Sequence, residues 1–130
     1  MGLNIIGGEV HDSVEWSTRH TDQVEWTIEQ VRLYKALSTK VGRVVIFGHA
    51  DPNSRHQEFF APLKAFIKDE LQNQIPFLYL NGDGHKWLFQ PNFYDQPSFL
   101  RIMVIGLRRP IVEGHYCSRL EVSRPPKKLF

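Results

Sequence analysis

Two continuous apolar runs, with one helix-length interval between them, constrain the fold of this chain more than any other feature. Val44-Val45-Ile46-Phe47 and Pro76-Phe77-Leu78-Tyr79-Leu80 are both short, rich in β-branched or aromatic residues, and stopped by turn residues. An unbroken apolar run of this length suits a strand covered on both faces, as in a parallel or mixed sheet. Between them Leu63, Phe66, Ile67 and Leu71 recur at helical spacing. Strand, helix and strand in that order form a βαβ unit, because parallel neighbours need a long crossover.

The flanking segments extend this pattern. Leu3-Asn4-Ile5-Ile6 reads as a short strand stopped by Gly7-Gly8. Asp12-Ser13-Val14-Glu15 has the form of a capping box, in which the Asp oxygen takes a helix N–H and the Glu reaches back. The helix it opens is expected over residues 15–37, with Val24, Ile28 and Val31 on one face and Trp16 and Tyr34 near the ends. Ser54 to Gln57 offers a second capping box. Pro62 would break a helix running through it, so a turn is expected near Ser54 and a regular helix over 62–73. After His85 no helix pattern remains. Trp87-Leu88-Phe89, Leu100-Arg101-Ile102-Met103-Val104-Ile105 and Leu120-Glu121-Val122 read as strands, for which antiparallel pairing is expected. The fold class is therefore α/β: a mixed sheet with βαβ units, two main helices and a C-terminal antiparallel region. Residues 1–123 form one domain portion, and 124–130 form a basic tail.

Composition narrows the function classes. At 130 residues the chain can bury a core without cross-links, and its single cysteine, Cys117, rules out an intrachain disulfide. A net charge of +2 is too small to argue for nucleic acid or an anionic membrane surface. No apolar run approaches the length of a membrane span, and no secretory signal is visible, so a soluble chain in the cytoplasm is expected.

The residues that could do chemistry lie where the apolar strands end. In open α/β sheets, sites form beyond the carboxyl ends of the strands. His49 follows Gly48 after the first run, and His85 follows Gly84 after the second, with Asp83 two residues earlier. A hard or borderline metal takes oxygen and imidazole ligands, and a carboxylate with two imidazoles supplies that mixture. His11 could line the same edge. His20 and His56 are expected at the surface. His115 lacks the cysteine pairs of a zinc ribbon. Ser13, Ser17 and Ser54 lack the glycines of a nucleophile elbow. Phe89, Phe93, Tyr94 and Phe99 are expected to pack a hairpin rather than stack on bases.

The run from Val44 through Gly48-His49-Ala50-Asp51-Pro52 resembles the strand and histidine loop of calcineurin-like metallophosphoesterases. Phe77-Leu78-Tyr79-Leu80-Asn81-Gly82-Asp83-Gly84-His85-Lys86-Trp87 resembles that family's strand and Gly-His-x-His signature. The resemblance spans residues 2 to about 122. It implies that His49 and His85 are metal ligands and that Asp83 stands in the slot of the signature's first histidine, a carboxylate in place of an imidazole. The family's proximal motifs, Asp-x-His, Gly-Asp-x-x-Asp and Gly-Asn-His, have no counterpart ahead of these segments. The chain is therefore expected to be a distal portion of such a domain. Its dinuclear site would need a complementing N-terminal half, with a phosphate ester as substrate. Two other expectations stand beside this one. One is a non-catalytic binding or scaffold module that keeps the fold without the chemistry. The other is self-association through an unpaired sheet edge.

Overall fold

The computed structural model describes residues 1–37 and 41–105. The first helix, α1 (Ser13–Leu37), leads into β1 (Val44–Phe47). A single 3-10 turn (Ser54–His56) then opens α2 (Gln57–Ala65), which continues as a π turn (Phe66–Glu70). Three strands follow: β2 (Phe77–Asn81), β3 (Leu88–Gln90) and β4 (Phe99–Met103). They form one sheet in the order β1-β2-β4-β3, with β1, β2 and β4 mutually parallel and β3 antiparallel to β4. The chain is thus α/β with a mixed sheet and two main helices. The expected strand at Leu120-Glu121-Val122 and the tail 124–130 lie outside the described residues.

Each helix starts for a local reason. Asp12 Oδ1 accepts the N–H groups of Val14 and Glu15, at 2.9 and 3.0 Å, which satisfies two of the donors a helix N-terminus leaves free. Only half of the expected box forms, because the Glu15 carboxylate turns to Arg19 one turn ahead. The second helix starts five residues earlier than its sequence pattern suggests. Asn53, not Ser54, caps the 3-10 turn that leads into it: Asn53 Oδ1 accepts the Arg55 N–H at 2.9 Å. Pro62 then falls inside α2 rather than opening it. The ring removes the bond that the carbonyl of Glu58 would accept in a regular helix, and the helix nevertheless runs on through it.

Strand alternation sorts the sheet into two faces. Val44, Ile46, Phe77, Tyr79, Asn81, Phe99, Arg101 and Met103 are buried on the face that carries the helices. Phe59, Phe60 and Leu63 of α2 pack there, and the Phe60 ring meets Tyr79 edge-on at 5.1 Å. On the opposite face Phe47, Leu80, Ile102 and Phe89 form one registered row, and Val45, Leu78 and Leu100 another. Phe47 and Phe89 are half exposed, at 53% and 52%. A sheet covered on both faces was the expectation from the unbroken apolar runs. Among the described residues only one face is covered, because both helices lie on the same side.

The first residues run beside β1 without forming an assigned strand. Gly2 bridges Phe47 in parallel, Leu3 N–H donates to Phe47 O at 2.8 Å, and Phe47 N–H donates to Met1 O at 2.8 Å. The ladder stops there because the Ile5 carbonyl turns to accept both His49 and Ala50 N–H groups.

Candidate functional site

The loops leaving β1 and β2 meet at the carboxyl edge of the sheet. Backbone bonds join them directly: Asp83 N–H donates to His49 O at 3.0 Å, and Gly48 N–H donates to Leu80 O at 3.0 Å. The N-terminal segment closes the third side through Ile5, whose carbonyl accepts His49 N–H at 3.0 Å. Gly7 lies so close that a Cβ there would overlap the Asp83 carboxylate. Gly48 passes so close to Tyr79 that a Cβ would come within 2.6 Å of its Oη. Gly48 is therefore required by close approach, since Tyr79 is buried and bonded, whereas a side chain at Gly7 would displace the Asp83 carboxylate.

This framework places His49 Nε2 3.4 Å from Asp83 Oδ1. The His49 side chain is 60% exposed and that of Asp83 34%, so neither side chain is closed off from solvent. The spacing is long for a hydrogen bond but suits two ligands of one ion. Donors about 2.1 Å from a metal and separated by the tetrahedral angle lie about 3.4 Å apart. His85 follows in the same loop, exposed, with a left-handed backbone (φ 50°) and its N–H donating to Gly82 O at 3.3 Å. Among the described residues no three His, Cys, Asp or Glu side chains converge as a metal-binding group. His49 and Asp83 thus fit as a pair of ligands, not as a complete set. His11 is exposed in the segment ahead of α1.

Beneath the pair lies a polar network that sequence reasoning did not single out. The Arg101 side chain, 7% exposed, forms an ion pair with Asp51 from the β1 loop. Its Nε donates to Asn81 Oδ1 at 3.0 Å, and its Nη1 reaches Gln90 Oε1 at 3.5 Å. One guanidinium therefore ties the β1 loop, β2, β3 and β4 together. The strand alternation held a clue, because Arg101 occupies an inward position between Phe99 and Met103. A buried arginine needs a carboxylate, and Asp51 is the one this fold supplies. Asp51 is thereby engaged in holding the edge. Tyr79 Oη donates to Ala50 O at 2.8 Å, and burial pushes its phenol well above the usual range, so the donor stays protonated.

His20 and His56 are corrections to the sequence reading. Both were expected at the surface, and each is only 1% exposed. His20 continues the buried stripe of α1, which runs Trp16, His20, Val24, Thr27 and Val31. The spacing of four from Trp16 and from Val24 was the available signal. The two rings face each other across α1 and the 53–56 turn, with His20 Nε2 2.9 Å from His56 Nδ1.

Compared with known proteins, no family model matches the chain, and neither a curated protein nor a solved structure does.

Proposed function

We propose that this chain is the distal portion of a metal-dependent phosphoesterase of the calcineurin-like kind, contributing His49, Asp83 and His85 to a metal site. The observation that carries the reading is the 3.4 Å spacing of His49 Nε2 and Asp83 Oδ1 at the carboxyl edge of parallel strands. Imidazole and carboxylate at that separation suit an ion of the Mn, Fe or Zn class. The described residues supply only part of a coordination shell, so the remaining ligands come from beyond them. When bound, such an ion would polarise a phosphoryl oxygen and acidify a bound water. The chain's own share is to orient the two donors: Ile5 and Leu80 carbonyls hold the His49 loop, and the His49 carbonyl holds Asp83. A phosphate ester is the proposed substrate class, and hydrolysis is proposed only with the complementing half present.

The incomplete ligand set also favours a second reading, a binding module that keeps the sheet edge without turnover. Two measurements separate them. Calorimetric titration with Mn²⁺ and Zn²⁺ should show binding to wild type, weakened at least tenfold in His49→Ala/His85→Ala and in Asp83→Asn. Equal binding by wild type and variants would remove the metal site. Turnover of p-nitrophenyl phosphate esters in added metal, abolished by His49→Ala, would exclude the non-catalytic module.

A further inference from the structure

The buried histidine pair has no part in the proposed metal site, yet its geometry defines its protonation. Trp16 O lies 2.7 Å from His20 Nδ1. A carbonyl only accepts, so His20 Nδ1 carries the hydrogen. The neutral His20 ring then presents a lone pair at Nε2, and His56 Nδ1, 2.9 Å away, must donate to it. The neutral pair thus has one arrangement of its two hydrogens.

Aromatic packing holds that arrangement in place. Trp16 stacks on His20 with ring centroids 4.9 Å apart and lies 5.2 Å from His56, and the two imidazoles are 5.1 Å apart. Trp16 Nε1 donates to the carbonyl of Arg55 at 3.0 Å. These contacts are a seam between α1 and the 3-10 turn at Ser54–His56. The turn is the far end of the segment that carries His49 and Asp51 away from β1.

We propose that this seam is a pH-sensitive latch, in which the neutral His20–His56 pair fastens α1 to the end of the β1 loop and protonation loosens it. A second proton on the pair would remove the lone pair that accepts the bond and set two cations in contact. The first proton would place a charge where almost no water reaches. The groups facing His56 are His20 from α1, Arg55 and Asp51 from the β1 loop, and Asp83 from the β2 loop. The two carboxylates favour the charged ring. Burial foremost, then His20 and, more weakly, Arg55 oppose it, and the net effect holds the His56 imidazole below its ordinary range.

The sign follows by linkage. A histidine whose folded value is lowered binds fewer protons folded than unfolded. The stability it protects is complete above the unfolded value of about 6.5 and is lost as the pH falls below it.

The test is nitrogen-detected NMR of the imidazoles with a pH series of thermal unfolding, on the full chain. At pH 7.5 both rings should show hydrogen on Nδ1 and a bare Nε2. The midpoint of unfolding should fall between pH 7.5 and 5.5, by up to about 5 °C for one histidine in a chain of this size. Amide exchange at residues 53–57 should accelerate, relative to β2 and β4, over the same interval. His56→Asn keeps a donor near the Nδ1 position but cannot titrate, and it should remove at least half of the fall. Reversed tautomers, a His56 midpoint at or above 6.5, or an unchanged pH profile in His56→Asn would each overturn the latch. If His56→Asn does not fold, the wild-type spectra decide alone.

Discussion

Replacing Arg101 by methionine removes the charge at the centre of the sheet edge while keeping an aliphatic stem of similar length. Its effect can be built up from the contacts. The Nε–Asn81 Oδ1 bond of 3.0 Å is lost, and Asn81 is 2% exposed, so a buried acceptor goes unpaired at about 1–3 kcal/mol. Asp51 loses its ion-pair partner, but its side chain is 41% exposed and water replaces the guanidinium, for about 1 kcal/mol. The guanidinium also lies 5.7 Å over the Phe93 ring, worth about 0.5–1 kcal/mol. Relief of the desolvation of a nearly buried cation offsets part of this. The net expectation is a loss of about 3 kcal/mol.

Asp51→Asn provides the contrast. It leaves a guanidinium with 7% exposure and no carboxylate, which should cost about 3–5 kcal/mol, more than the arginine deletion. The double variant Arg101→Met/Asp51→Asn should fall short of the sum of the singles by about 1–3 kcal/mol, because the two side chains share one interaction. Urea unfolding followed by far-UV circular dichroism measures all three, provided the slope against denaturant is unchanged. A loss under about 1 kcal/mol for Arg101→Met, or a smaller loss for Asp51→Asn than for Arg101→Met, would refute the view that this cation holds the edge together.

Two other substitutions test the local arguments. Gly48→Ala should destabilise by about 2–3 kcal/mol, because Tyr79 Oη, 2.6 Å from the new Cβ, is buried and bonded to Ala50 O and cannot retreat. Gly2→Ala, with nothing within 4 Å of its Cβ, is the control, and thermal unfolding should separate them clearly. Asp12→Ala removes the oxygen that accepts Val14 and Glu15 N–H groups and should cost about 1 kcal/mol, read as lower thermal stability and faster amide exchange in the first turn of α1.

Much of the fold was legible because it depends on local pattern. The apolar runs at β1 and β2 lie within a residue of the observed strands, and α1 begins at the Asp12 cap that its sequence announces. The antiparallel pairing of β3 with β4 followed from the absence of an α-helical pattern between them, where only a 3-10 turn at Phe93–Asp95 intervenes. The start of α2 was less legible. Pro62 argued against a helix through it, whereas the buried packing of Phe59, Phe60 and Leu63 holds the helix across it. Local propensity yields there to buried aromatic area.

The candidate site divides along the same line. The sequence by itself determined that Gly48-His49 and Gly82-Asp83-Gly84-His85 end apolar strands, since strand and turn chemistry are short-range properties. Only the tertiary structure decided that His49 and Asp83 face each other at 3.4 Å, that Arg101 takes Asp51 for its partner, and that His20 and His56 close on each other away from water. Those pairings join residues 34, 50 and 36 positions apart, and no short-range pattern encodes a distance across the sheet. The physical reason is burial. Where a polar side chain is forced inward by the period of its helix or strand, its partner is chosen by which other chain segment the fold brings against it.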